Sequence, residues 1–285
     1  MSESQSDSVE LFVFESHEAI TSRPRYRGTL DPAQHALKRI VGQYDFPRSL
    51  AWPCGLQGCR TPHQTGFVVE TTDGYETNIG HICGKNHFGA AAWDRTRSEY
   101  KKNRDDQERA QWLAAMFGEK HALLSDVARL TTSITVAKKR IDDILENMAK
   151  DPNLERSFRN AIKAQFVEVY RPTTNTSEVI GRLAGTEAAE HDFLAKALRN
   201  LTSRAMTRLR WLDREELELL DAKGRKERQA ELTDVRTAID QGQRALASTS
   251  KFLAPHNLRL LGQLDVPRLN NRAARFLGRL RGTAE

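Results

Sequence analysis

The spacing of hydrophobic positions changes near residue 89. Before it, apolar residues come in short alternating runs broken by glycine and cysteine; after it, they recur every three or four residues. In the first part, the aromatic and branched run Glu10 to Glu15 (ELFVFE), behind a polar tail at residues 1–8, predicts a short strand at a sheet edge. Asp31 followed by Pro32 has the form of a helix cap with proline at the first helical position, which predicts a short helix through AQHALKRIVGQY. Gly66 to Glu70 and Tyr75 to Ile79 flank Asp73-Gly74, a dipeptide that suits a tight hairpin turn.

Beyond Gly89 the pattern is helical for nearly the whole remainder. Leu113, Met116, Lys120, Leu123, Val127, Leu130, Ile134, Ala137, Ile141, Ile144 and Met148 alternate spacings of three and four, a heptad seam with one charged interruption. Such a seam serves a coiled coil or an amphipathic helix in a bundle, and either way its face is buried against another helix. Asp151-Pro152 breaks it, and a shorter helix is predicted from Asn153 to Tyr170. Residues 171–177 read as a loop, with helix returning from about Ser177 and an apolar stripe at Leu198, Leu201, Ala205, Leu209 and Leu212. A second seam runs through Leu232, Val235, Ile239, Gly242, Leu246, Thr249 and Leu253 until Pro255. Two seams separated by turns predict antiparallel helices folding back on each other, or pairing between two chains. The expected fold class is mainly α, with a small N-terminal α+β treble-clef-like zinc module before the long helices. Its expected segments are 1–50 (strand and short helix), 51–95 (zinc module), 96–150 (long coiled-coil-like helix) and 151–285 (helical body).

Composition fits extended helices that bury a stripe: 39% of residues are hydrophobic and 29% charged. Lys and Arg number 44 against 38 Asp and Glu, a net charge of +6, and the surplus lies in the helical part. Residues 1–100 hold ten basic against twelve acidic side chains, the remainder 34 against 26. A basic body favours an acidic partner such as nucleic acid. The opening MSESQSDSVE lacks the pattern of a secretory signal, and no apolar run is long enough to span a bilayer, so a cytoplasmic protein is expected.

Only three cysteines occur, all within thirty residues and interleaved with histidines: Cys54, Cys59, His63, His81, Cys83 and His87. An odd, dense set points to metal rather than disulfides. Cys54-Gly-Leu-Gln-Gly-Cys59 is a loop whose glycines permit a tight turn, and Cys83 and His87, four apart, share one face of a first helical turn. The expected site is one structural Zn2+ per chain held by Cys54, Cys59, Cys83 and His87, with His63 or His81 as alternatives to His87. Thiolates exclude hard cations such as magnesium. The run from Cys54 through Ile79-Gly80, Cys83-Gly84-Lys85 and Phe88-Gly89 looks like the zinc-hairpin segments of uncharacterised phage and prophage-type bacterial proteins. That resemblance covers about 40 residues. It implies a treble-clef-like fold and a mobile-element origin without assigning an activity. Glu70 and Glu76 on the hairpin are read as solvated surface rather than as a catalytic base.

At the other end, Arg268, Arg272, Arg275 and Arg279 fall at helical spacing after Pro267, with Leu269, Ala273, Phe276 and Leu280 on the neighbouring face. Such a stripe can follow phosphates, cap a bundle as a solvated face, or lie on a membrane surface. No phosphate-binding glycine loop and no serine-triad context is present. The expected function is therefore non-enzymatic: nucleic-acid binding through the zinc module and the Arg faces. A protein scaffold self-associating through the seams is the second reading, and a metal-dependent hydrolase or nuclease, which needs an open zinc position, the third.

Overall fold

A computed structural model describes residues 11–171, 173 and 175–282. The polar tail, Glu10, Pro172 and Thr174 lie outside the described residues. The chain is mainly helical with small sheets, and divides into two compact units, Met1–Gln111 and Trp112–Glu285.

The first unit contains β1 (Phe12–Phe14), α1 (His17–Thr21), β2 (Leu37–Asp45), β3 (Trp52–Pro53), β4 (Pro62–His63), β5 (Thr65–Thr71), β6 (Glu76–Ile79), α2 (His81–Phe88) and the start of α3 (Ala90–Gly118). Its main sheet has the order β1-β2-β5-β6, with β1 parallel to β2 and the other pairs antiparallel. As expected, β1 is an edge strand and Asp73-Gly74 lies in the β5–β6 turn. Gly74 takes φ +85° there. One core cluster joins Ile40, Val69, Ile79, Trp93 and Tyr100; the other joins Phe14, Ile20, Val41, Tyr44, Phe46 and Val68. The helix expected after Asp31-Pro32 is instead one turn followed by β2. Asp31 accepts a bond from the Ala33 amide at 2.9 Å, so the capping chemistry is real. The chain then leaves the turn because Ile40, Val41 and Tyr44 are buried in the sheet, and that burial outweighs local cap preference.

The second unit begins within α3 and continues through α4 (Lys120–Met148), α5 (Pro152–Ala164), β7 (Phe166–Arg171), β8 (Thr176–Arg182) and α6 (Phe193–Arg199). A π-helical segment, Asn200–Met206, leads to α7 (Thr207–Arg210), α8 (Arg214–Leu219), α9 (Ala222–Phe252), α10 (Pro255–Gly262) and α11 (Asn271–Arg281). The helix expected over Asn153–Tyr170 stops at Ala164, where Gln165 adopts φ 64°, and residues from Ser177 form strand, not helix. Phe166-Val-Glu-Val-Tyr is rich in branched and aromatic residues, which suit a strand, and it pairs antiparallel with β8 as a hairpin.

Both seams are buried, and their partners belong to the same chain. The first is carried on the end of α3 and on α4, which a single non-helical residue, Glu119, separates. Asn200 donates to Gln241 at 2.7 Å and Arg208 pairs with Asp234 at 2.9 Å, so the α6–α7 segment runs antiparallel to α9. Lys120 at the start of α4 donates to the Leu212 carbonyl at 2.6 Å, while Leu145 and Met148 at its end line a cleft with Ala189 and Glu190, ahead of α6. The α6–α7 segment is thus antiparallel to both seam helices, and the two seam helices run in the same direction. Lys120, the charged interruption of the first seam, satisfies carbonyls at the end of α7. Asp151 caps α5 through the Asn153 and Leu154 amides and accepts from the Asn270 amide ahead of α11; these bonds hold its carboxyl below the usual range. Among the described residues, no helix is long and apolar enough to cross a membrane.

Ile134 is fully buried in the α4 seam and Val136 is 60% exposed on the opposite face. Ile134→Ala should cost about 2–5 kcal/mol of unfolding free energy, and Val136→Ala should stay within about 0.5 kcal/mol, measured by urea denaturation.

Candidate metal centre

Three short pieces bring the cysteines together. Strands β3 and β4 pair Trp52 with His63 and Pro53 with Pro62, and the loop between them carries Cys54 and Cys59. The loop is closed by the Cys54 amide donating to the Thr61 carbonyl at 3.0 Å and the Cys59 amide to the Leu56 carbonyl at 3.1 Å, with Gly58 at φ +80° making the turn. The hairpin strand β6 is stapled to it: the Gly55 amide donates to the Asn78 carbonyl at 2.8 Å, and the Asn78 side chain donates to the Pro53 carbonyl at 2.9 Å. A Cβ at Gly55 would stand 2.1 Å from the Thr77 hydroxyl, so this approach requires glycine. Helix α2 then starts from Gly80 and presents Cys83 from its first turn.

The three sulfurs lie within 4.8 Å of one another, with Cys59 and Cys83 at 3.2 Å, a group that can hold a metal ion. Cys54 and Cys83 are buried, and Cys59 is partly exposed. Their electrostatics are mutually opposed. Burial drives the Cys83 thiol up to about 12, and the neighbouring cysteines add to it. Burial also raises Cys54, against bonds from the Leu56 and Gly80 amides. Burial acts to raise Cys59 too, but hydrogen bonds with the Thr61 amide and hydroxyl and with the other two cysteines bring it down to about 6. One thiolate is thus favoured and further ones are opposed, a balance that a cation among the sulfurs would reverse.

Of the predicted ligands, the structure gathers Cys54, Cys59 and Cys83. His87 is exposed in the last turn of α2 and is not part of the group. His81 accepts at Nδ1 from the Trp93 indole at 2.9 Å. His63 shares a 2.8 Å bond at Nδ1 with the Tyr44 hydroxyl. Glu70 and Glu76, expected on the solvated surface, are buried and ion-paired. Glu70 meets Lys38 at 2.7 Å and Arg39 at 2.5 Å, and Glu76 meets Arg23 at 2.5 Å. These pairs tie the hairpin to its neighbours and leave neither carboxylate poised as a base. At the C-terminal end, Arg272, Arg275 and Arg279 are exposed on α11, and none is ion-paired among the described residues. Arg268 is not on that helix; it sits in the preceding loop at φ 59°, because Asn270 rather than Pro267 sets the helix start by accepting from the Arg272 and Ala273 amides.

Sequence reasoning missed the supports of the centre: Thr77 and Asn78, which hold the loop, and Trp93, whose ring packs against Gly84 of α2. The available signal was two consecutive polar residues, Thr77 and Asn78, inside a hairpin strand that leads into the second ligand cluster. No protein-family model, curated protein or solved structure matches the chain.

Burial raises the Glu70 carboxyl, but hydrogen bonds and charge from Lys38 and Arg39 outweigh this and hold it below its ordinary value. A depressed folded value stabilises above the unfolded carboxylate range, about 4.3, and the benefit is lost as pH falls through the folded value. Glu70→Gln should therefore cost about 1–3 kcal/mol at pH 7, with the gap from wild type closing in acid, read from denaturation at several pH values.

Proposed function

We propose that this chain is a non-enzymatic, zinc-stabilised helical protein that binds nucleic acid through the basic face of α11. The observation that carries the reading is the division of that helix. Ala273, Phe276, Leu277 and Leu280 are buried, while Arg272, Arg275 and Arg279 project outward without acidic partners among the described residues. Three guanidiniums at one-turn spacing match a row of phosphates. In the first unit, the Cys54–Cys59 loop, the β5–β6 hairpin and the helix bearing Cys83 follow one another in the order of a treble clef, and three cysteines favour zinc over harder ions. The likeness to phage-type zinc hairpins fits this reading.

A second reading, a protein-binding scaffold, draws on Trp211, shortly before α8, and Leu219, the last residue of α8, which are 76% and 86% exposed. Self-association through the seams receives less support, since both seams are buried within the chain.

The two separate in fluorescence-anisotropy titrations with labelled DNA and RNA at two salt concentrations. Binding should weaken steeply with salt. Arg272→Glu with Arg275→Glu should weaken it at least about tenfold and flatten the salt slope by about 0.9 for each phosphate no longer neutralised. Binding that ignores both substitutions, or none at low salt, contradicts the proposal and favours the scaffold.

A further inference from the structure

The group of three sulfurs leaves one position of a tetrahedral centre to be filled. Three histidines are near in sequence, and their surroundings differ. His87 is exposed, and the Nδ1 of His81 already accepts from Trp93. His63 is the exception. Its Nε2 is buried and without a hydrogen-bond partner, a costly condition for a polar atom. Two other described side chains share that condition, His17 at Nε2 and Arg104 at Nε, and neither belongs to the cysteine loop.

The position of His63 gives the orphaned atom a role. It lies on β4 directly across from Trp52, which is two residues before Cys54, and it stands four residues after Cys59. Its ring packs against Gly80: a Cβ there would stand 2.8 Å from Cδ2 and 3.4 Å from Nε2. The Gly80 amide also bonds to Cys54, as the Leu56 amide does. The imidazole edge and a cluster sulfur therefore meet at the same residue, the one that starts the helix bearing Cys83. On the other side of the ring, Nδ1 bonds to the Tyr44 hydroxyl at 2.8 Å. A metal-ligating histidine uses one nitrogen on the ion and anchors the other on a neighbouring group, which fixes the tautomer and aims the ring. With Nδ1 donating to Tyr44, the lone pair of Nε2 is left for a metal.

We infer that His63, through Nε2, is the fourth ligand of the cysteine centre, with Tyr44 as its positioning residue. The assignment rests on the zinc reading above and goes beyond it. His63 stands outside the 4.8 Å group of sulfurs, so ligation requires the end of β4 to move toward them. The completed centre is Cys3His with every position occupied by protein, which leaves no place for a metal-bound water. A metal held in this way would lock loop, hairpin and helix together, the role of a structural centre.

Cobalt substitution tests this on the full chain, because cobalt in a thiolate site reports ligand number and type by its visible absorption. Wild type should bind one cobalt with the bands of a tetrahedral thiolate site. His63→Ala should bind at least about tenfold more weakly, with altered bands. His63→Cys should restore tight binding with stronger sulfur charge-transfer, which separates lost ligation from lost folding. His87→Ala should match wild type in affinity and spectrum. A His63→Ala chain that keeps the wild-type affinity and spectrum, or a His87→Ala chain that loses them, overturns the assignment while leaving the zinc reading in place. A wild-type chain that takes up no cobalt overturns both.

Discussion

Three thiols share a space within 4.8 Å inside a core that also holds Ile79, Trp93 and Tyr100. That crowding is the constraint on which the first unit depends. Burial opposes charge on Cys54 and Cys83, while hydrogen bonding favours it on Cys59, so the group is electrostatically unsettled by itself and suited to a soft divalent cation. Around it the backbone is tightly specified. Gly55 has no room for a side chain, Asn78 and Thr77 hold the loop carbonyls, and Trp93 packs on the helix that delivers Cys83. The proposed zinc centre thus joins segments that a small sheet alone would hold weakly.

The second unit is governed by a different force. Its core is one continuous apolar cluster from Leu113 to Leu280, and at several helix ends side chains satisfy the exposed backbone groups. Lys120 meets the carbonyls beyond α7, and Asp151 serves the starts of both α5 and α11. By fixing the start of α11, Asp151 and Asn270 also decide which arginines share its outer face. Structure and proposed function meet there, since the caps that start the helix at Asn271 leave Arg268 outside its cationic stripe.

Much of this was legible in the chain itself. The cysteine cluster, the Asp73-Gly74 turn and both seams follow from spacing, because side-chain period and turn chemistry are local properties. What escaped was decided by tertiary context. Asp31-Pro32 does cap a turn, yet the following residues are drawn into the sheet by the burial of Ile40, Val41 and Tyr44. The β7–β8 hairpin was hidden by helical patterns on both sides. Glu70 and Glu76 looked solvent-facing because their partners, Lys38, Arg39 and Arg23, are more than thirty residues away in sequence. The choice among three histidines was equally beyond spacing, since all three lie near a cysteine and only packing separates them.

The central claim is that the cysteines hold a metal, and zinc stoichiometry tests it most directly. Elemental analysis of the purified chain should find one zinc per molecule, and Cys83→Ala should abolish it. A well-folded wild-type chain without zinc, or a Cys83→Ala chain that retains a full equivalent, would contradict the account.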